Sequence, residues 1–110
     1  MEQNSNMKTL FIVVNAGFSN DVIALARKAG AQGATIINAR GESAIHHMFM
    51  GITIDSEKEL LLCLVTDEVA ERVMETLKEK AGQDSPAHSV CFTMPVERML
   101  GLTTLPRTDA

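Results

Sequence analysis

The chain has no tryptophan and no tyrosine, and its only aromatic residues are four phenylalanines. Stacking platforms of the kind that hold single-stranded nucleic acid are therefore scarce. Basic residues are the minority, ten against fourteen acidic, and the net charge of -4 gives no electrostatic footprint for a polyanion. No apolar run approaches the ~18 residues that a membrane-spanning helix needs. The opening Met1-Glu2-Gln3-Asn4-Ser5-Asn6 has neither the basic region nor the apolar stretch of a signal peptide. Together these absences predict a cytoplasmic protein that neither binds nucleic acid nor inserts into a membrane. Chemical motifs are missing too. There is no phosphate-binding loop of Walker type, no dinucleotide fingerprint, no paired Cys-x-x-Cys, no His-Glu-x-x-His and no glycine-flanked serine turn, so an enzyme is not expected.

What is present is an ordinary globular composition, 45% hydrophobic and 22% charged, arranged as one unit written twice. A β-rich run over 9–14 leads into a helical pattern over 19–29 and a second strand over 34–39. The same order returns as 60–65, 67–81 and 89–94. In the first helix Val22, Leu25, Ala26 and Ala29 follow one buried stripe. Ser19 or Asn20 is the expected cap, and Gly30 is the expected stop. In the second, Val69, Ala70, Val73, Met74 and Leu77 form the stripe, with Asp67 as the expected cap and Gly82 as the stop. Cys63 and Cys91 fall inside the third and fourth strands, where a thiol is a packing residue more often than a redox or metal group.

Two split βαβ units in tandem predict an α+β, ferredoxin-like βαββαβ fold with a four-stranded antiparallel sheet. Both faces of the strands read as apolar, yet two helices cover only one of them, so the other is expected to be buried by further copies of the chain.

Three segments lie outside this scaffold. The connection 41–57 is far longer than a hairpin needs and is apolar for a linker, with Ile45, Met48, Phe49, Met50, Ile52 and Ile54 around His46, His47 and Gly51. It reads either as an extended hairpin or as a loop that contacts a partner or responds to a ligand, a use suited to adaptable methionines. The second segment is the polar turn 83–88, and the third is the tail 96–110. The adjacent His46 and His47 point to opposite sides of any regular strand and cannot both ligate one ion from it. One histidine from each of three chains could, but no metal is expected.

The order of elements, the run Gly30-Ala31-Gln32-Gly33-Ala34-Thr35-Ile36 leading to Arg40-Gly41, and the closing Thr93-Met94-Pro95-Val96-Glu97 resemble the P-II nitrogen-regulatory proteins, in their divergent P-II-like branch. The resemblance covers about 8–102 and implies a single domain over 1–110. Its ends, 1–7 and 103–110, are expected to be flexible and 41–57 to be its long loop. It also implies a homotrimer that binds an adenine nucleotide or related metabolite between subunits, with ADP, AMP or ATP as candidates and no obligatory cofactor. The long loop, through His46, His47, Met48, Phe49 and Met50, would contact a regulated protein, a membrane transporter among the candidates. Thr35 matches the family's strand-two threonine near the base and ribose, and Gly41 the glycine that opens the long loop. The turn 83–89 matches the loop that cradles the phosphates. It departs from the family in having Ser85-Pro86-Ala87-His88 without the usual lysine and glycines, and two family arginines fall on Gly101 and Thr103. Three lost cations weigh against a triphosphate in the usual pose. The groups left for an anion are Arg40, the backbone of Gly41, Glu42 and Ser43, and His88 with Ser89; Arg98 and Arg107 are further candidates. A CutA-like trimer, metal-linked or structural, is the alternative, and a regulatory domain of the ACT type is a third reading.

Overall fold

In a computed structural model, which describes residues 2–3, 6–41, 47–49, 52–54, 56–82 and 85–101, the two halves of the chain interleave in one sheet. The elements run β1 (Glu2–Gln3), β2 (Met7–Asn15), α1 (Ser19–Lys28), β3 (Thr35–Gly41), β4 (His47–Phe49), β5 (Ile52–Ile54), β6 (Ser56–Thr66), α2 (Asp67–Lys80), β7 (Val90–Pro95) and β8 (Met99–Leu100). The central sheet has the order β3-β6-β2-β7 with every neighbour antiparallel, so each strand-helix-strand unit spans a strand of the other half. This is the ferredoxin-like arrangement expected from the tandem repeat. No helix among the described residues is long and apolar enough to cross a membrane.

The core lies between one sheet face and the two helices. Leu10, Ile12 and Val14 of β2 and Leu61, Cys63 and Val65 of β6 point to that face. Val22 and Ala26 of α1 and Val69, Val73 and Leu77 of α2 meet them there. The helical stripes read from spacing are thus the buried ones, with Leu25 and Met74 packed at the margin.

Both N-caps fall earlier in the chain than the residues expected. Phe18 stands at the N-cap of α1 without a side-chain hydrogen bond, and Ser19 is turned inward and buried, so the first turn relies on packing and on the Val22 amide bonded to the Phe18 carbonyl. In α2 the cap is Thr66, not Asp67. β6 stays extended through Thr66, whose hydroxyl accepts from the Val69 amide at 3.3 Å, and Asp67 lies in the first turn, 3.6 Å from the Lys8 ammonium.

Gly30 ends α1 with φ +119. Arg72 of α2 reaches over this end, its Nε donating to the Ala29 carbonyl at 3.0 Å. Gly82 acts differently: a β-carbon there would lie 2.9 Å from the Lys78 carbonyl oxygen, so its lack of a side chain, and no left-handed turn, lets the chain leave α2 closely.

The strands are longer than their apolar runs. β6 starts at Ser56 because the polar stretch Ser56–Glu59 continues the ladder opposite β3, Gly41 facing Ser56 and Arg40 facing Glu57. The strand pairing also includes residues before 8. Met7 is a buried member of β2, and Glu2–Gln3 pair with Met99–Leu100 as a short ribbon. Between β3 and β6, β4 and β5 form an antiparallel hairpin with His47 opposite Ile54, Met48 opposite Thr53 and Phe49 opposite Ile52. Among the described residues of the long connection, β4 and β5 pair with each other as a separate two-stranded sheet and do not prolong the central one. Glu42, Ser43, Ile45, His46 and Met50 of that segment, and Arg107 in the tail, lie outside the described residues.

Candidate functional site

The helix-free face of the sheet sets the geometry of every candidate residue. Alternation and register place Thr9, Phe11 and Val13 of β2 on it, with Leu60, Leu62 and Leu64 of β6, Val90, Phe92 and Met94 of β7, and Thr35 and Ile37 of β3. Val90, Phe92 and Met94 are 55%, 45% and 51% exposed, and Phe92 stacks on Phe11 with ring centroids 5.0 Å apart and planes 5° from parallel. An exposed apolar face this continuous marks a contact surface.

Thr35 opens β3, exposed, on this face and opposite Leu62 at mid-sheet. Arg40 and Gly41 close the same strand, about 17 Å further along at the usual rise. By alternation Gly41 shares the open face with Thr35, while exposed Arg40 takes the other face opposite Glu57. β3 is one edge of the sheet. His88 and Ser89 precede β7, the opposite edge, and three strand spacings, about 14 Å, separate the two groups within one chain. They do lie at the same end of the sheet. The Asn15 amide at the end of β2 donates to the Ala87 carbonyl at 3.0 Å, and Asn15 faces Lys58 at the start of β6.

The turn before β7 is held by its own polar groups. Ser85 donates to the Gly82 carbonyl through its amide (3.0 Å) and its hydroxyl (2.8 Å). The His88 amide donates to the Ser85 carbonyl at 3.0 Å. Ser89 commits both its amide and its hydroxyl to the Ala81 carbonyl. In this arrangement the amides of Ser85, His88 and Ser89 point into the turn and none is offered to a phosphate. His88 itself has φ 47, in the left-handed region that glycine occupies most easily. The turn thus holds a residue other than glycine in a backbone position that glycine takes most easily.

Two residues join this end of the sheet that sequence reasoning did not single out. The Lys58 ammonium donates to Asn15 Oδ1 at 2.5 Å, and Asn15 Nδ2 donates to the Pro86 carbonyl at 2.9 Å. The lysine stem lies against Gly41, where a β-carbon would come within 3.1 Å of Lys58 Cε. The signal was a lysine two residues into a strand, hidden because Glu57-Lys58-Glu59 reads as the polar end of a loop.

A groove of about 410 Å³ runs between α2 and β7, with Met74, Leu77 and Cys91 along it, Glu71, Glu75 and Lys78 from the exposed side of the helix, and Gly82 and Ser89 at one end. Two carboxylates against one ammonium give it the wrong sign for a phosphate. Burial raises the thiols of Cys63 and Cys91, and for Cys91 burial followed by the nearby Cys63 pushes the value up to about 11. Both therefore stay protonated near neutrality, in keeping with packing.

A bare-faced ferredoxin-like domain, with a hairpin set between its second and third sheet strands, is the class of protein these features define. The sequence profile described as nitrogen regulatory protein P-II matches residues 7–104. The chain belongs to the P-II family of regulatory proteins. None of the curated proteins compared by sequence matches it. Among solved structures, a PII-like signalling protein from Thermus thermophilus is 23% identical, with 86% of this chain and 88% of that one covered and a TM-score of 0.67. CPII, a nitrogen regulatory PII-like protein from Thiomonas intermedia bound to ADP, AMP and bicarbonate, is 15% identical, with 91% and 99% covered and a TM-score of 0.68. The GlnK–ATP complex of B. subtilis is 18% identical, with 84% of each chain covered and a TM-score of 0.64. At these identities the likeness carries the fold.

Proposed function

We propose that this chain is a P-II-like signal-transduction protein. A homotrimer forms over the bare sheet face, an adenine nucleotide or related metabolite binds between subunits, and the hairpin around 47–54 contacts a regulated protein. The observation that carries the reading is the split of the candidate residues between the two sheet edges on either side of an exposed apolar face. Thr35, Arg40 and Gly41 of one copy meet His88 and Ser89 only if a second copy sets its β7 edge beside β3. Glu42 and Ser43 complete the anion side, and His46, His47, Met48, Phe49 and Met50 the partner-contacting segment.

The charge at the site favours ADP or AMP over ATP. The turn brings no lysine, its amides bond inward, and Ser89 must leave Ala81 before its hydroxyl donates to a ligand. Nucleotides of this kind are bound in CPII and GlnK, which share the fold. A CutA-like trimer shares the fold as well, so architecture does not separate the readings, and the family match favours P-II.

Sedimentation together with titration calorimetry tests the proposal. A trimer that gives heat with ADP or AMP, weaker heat with ATP, and about tenfold weaker binding after Arg40→Ala supports it, that factor being typical of one charge-assisted bond. No heat and no thermal shift with any of the three overturns nucleotide sensing. A rise in melting temperature with copper or zinc alone, lost in His46→Ala or His47→Ala, would establish the CutA-like alternative.

A further inference from the structure

The Asn15 side chain bridges the turn before β7 and Lys58 at the start of β6. Its amide is committed on both sides: Oδ1 accepts from Lys58 Nζ, and Nδ2 donates to the Pro86 carbonyl. An ammonium only donates and a carbonyl only accepts, so a single orientation of the amide satisfies both partners. The Asn15 backbone adds a bond to the Ala87 carbonyl, and the next residue, Ala16, donates to the Glu57 carbonyl at 3.0 Å. On the far side the Lys58 stem fills the space above Gly41, the last residue of β3 before the hairpin segment. The turn 85–88, the end of β2, the start of β6 and the root of the hairpin are thus joined by direct contacts through two side chains.

We propose that the Asn15–Lys58 pair couples the turn before β7 to the base of the hairpin, so that a shift of the turn is transmitted to Gly41 and Glu57. Its regulatory use rests on the nucleotide-sensing reading above; the coupling itself is a property of one chain. Movement of the Pro86 carbonyl pulls on Nδ2, rotates the amide and breaks or lengthens the bond from Lys58. The released lysine stem no longer packs on Gly41. Coupling between sites needs an element that both of them bias, and the amide of Asn15 is that element here.

Two substitutions cut the link on different sides. Asn15→Asp keeps an acceptor for Lys58 and removes the donor to Pro86. Lys58→Met keeps the stem over Gly41 and the Asn15–Pro86 bond but removes the ammonium. Amide hydrogen exchange of residues 39–41 and 56–58 is the readout, first without nucleotide, with the turn disturbed by Ser85→Ala. The coupling predicts that Ser85→Ala speeds exchange at the hairpin base about fivefold, the effect of one net hydrogen bond on an opening equilibrium. It predicts a change under about twofold when Ser85→Ala is combined with Asn15→Asp or with Lys58→Met, the non-additivity expected of linked groups. Equal acceleration in all three backgrounds, or none in the parent, overturns the coupling. Adding ADP to the parent tests the other reading separately. Exchange slowed at both the turn and the hairpin base, and only at the turn in the two variants, supports both. No response to ADP anywhere sinks nucleotide sensing while the first arm still decides the coupling.

Discussion

Replacing Phe92 by glutamate separates assembly from folding. Phe92 is 45% exposed in the single chain and stacks on Phe11. Aromatic side chains bury about 150–250 Å², so covering that exposed part removes roughly 70–110 Å² from water per subunit. At about 25 cal/mol per Å² this is about 2 kcal/mol per subunit and about 6 kcal/mol for a three-fold assembly, before the added cost of placing a carboxylate in an apolar seam. A loss of about 6 kcal/mol lowers an association constant by about four orders of magnitude. The single chain loses less, about 1–2 kcal/mol, because only the stack and the half-buried part are given up. Analytical ultracentrifugation at micromolar concentration is therefore expected to show a trimer for the parent and a folded monomer for Phe92→Glu, with far-ultraviolet circular dichroism unchanged. A Phe92→Glu chain that still sediments as a trimer would refute burial of this face between copies, and so would a parent that stays monomeric.

Three further predictions follow from single contacts. Gly30→Ala places a β-carbon at φ +119, 3.0 Å from Arg72 Nη2 and 3.1 Å from Val69 Cγ2; it should destabilise by about 2 kcal/mol or more in urea unfolding, since strain and displacement of the Arg72 bridge add. His88→Val should lower stability by about 1–2 kcal/mol and His88→Gly should not, because a β-branched residue resists φ 47 and glycine accepts it; equal effects would mean that the imidazole matters more than the backbone. Cys91 has its folded value raised from 9.0 to about 11, so the folded chain holds its proton where the unfolded chain releases it. Stability is then fully present below about pH 9 and falls as the pH rises toward about 11; Cys91→Ala should flatten that part of the profile measured by chemical denaturation.

The fold was legible because its signals are periodic. Val22, Ala26 and Ala29, and Val69, Val73 and Leu77, could be read as stripes from spacing alone, and they are the residues that meet the sheet. A sheet apolar on both faces likewise left one face open for lack of a third layer. Boundaries were less legible because local signals compete. Ser19 and Asp67 are good capping residues, but β6 carries its extended conformation one residue further to Thr66, and the packing of α1 draws Ser19 inward. The candidate site was legible only in part. Thr35, Arg40 and Gly41 sit on one edge because a single strand carries them, whereas the Asn15–Lys58 link depends on pairing residues 43 apart in the chain. No spacing rule contains such a contact.

The turn before β7 combines a left-handed backbone position with polar groups that bond inward. Its left-handed position falls at His88, φ 47, a conformation that glycine adopts most easily. Its donors are committed within the turn, because Ser85 and Ser89 close it on the Gly82 and Ala81 carbonyls. A ligand with two or three closely spaced negative charges needs donors that are already oriented, and rebuilding them means breaking several short-range bonds at once. On the nucleotide-sensing proposal, a less charged ligand held by Thr35, Arg40 and the seam between copies would not need that rebuilding. The proposed coupling leaves this turn through the Asn15 amide, which reaches the hairpin base by way of Lys58. Sensing through this turn would therefore depend less on how tightly phosphate is gripped than on how far the Pro86 carbonyl is displaced.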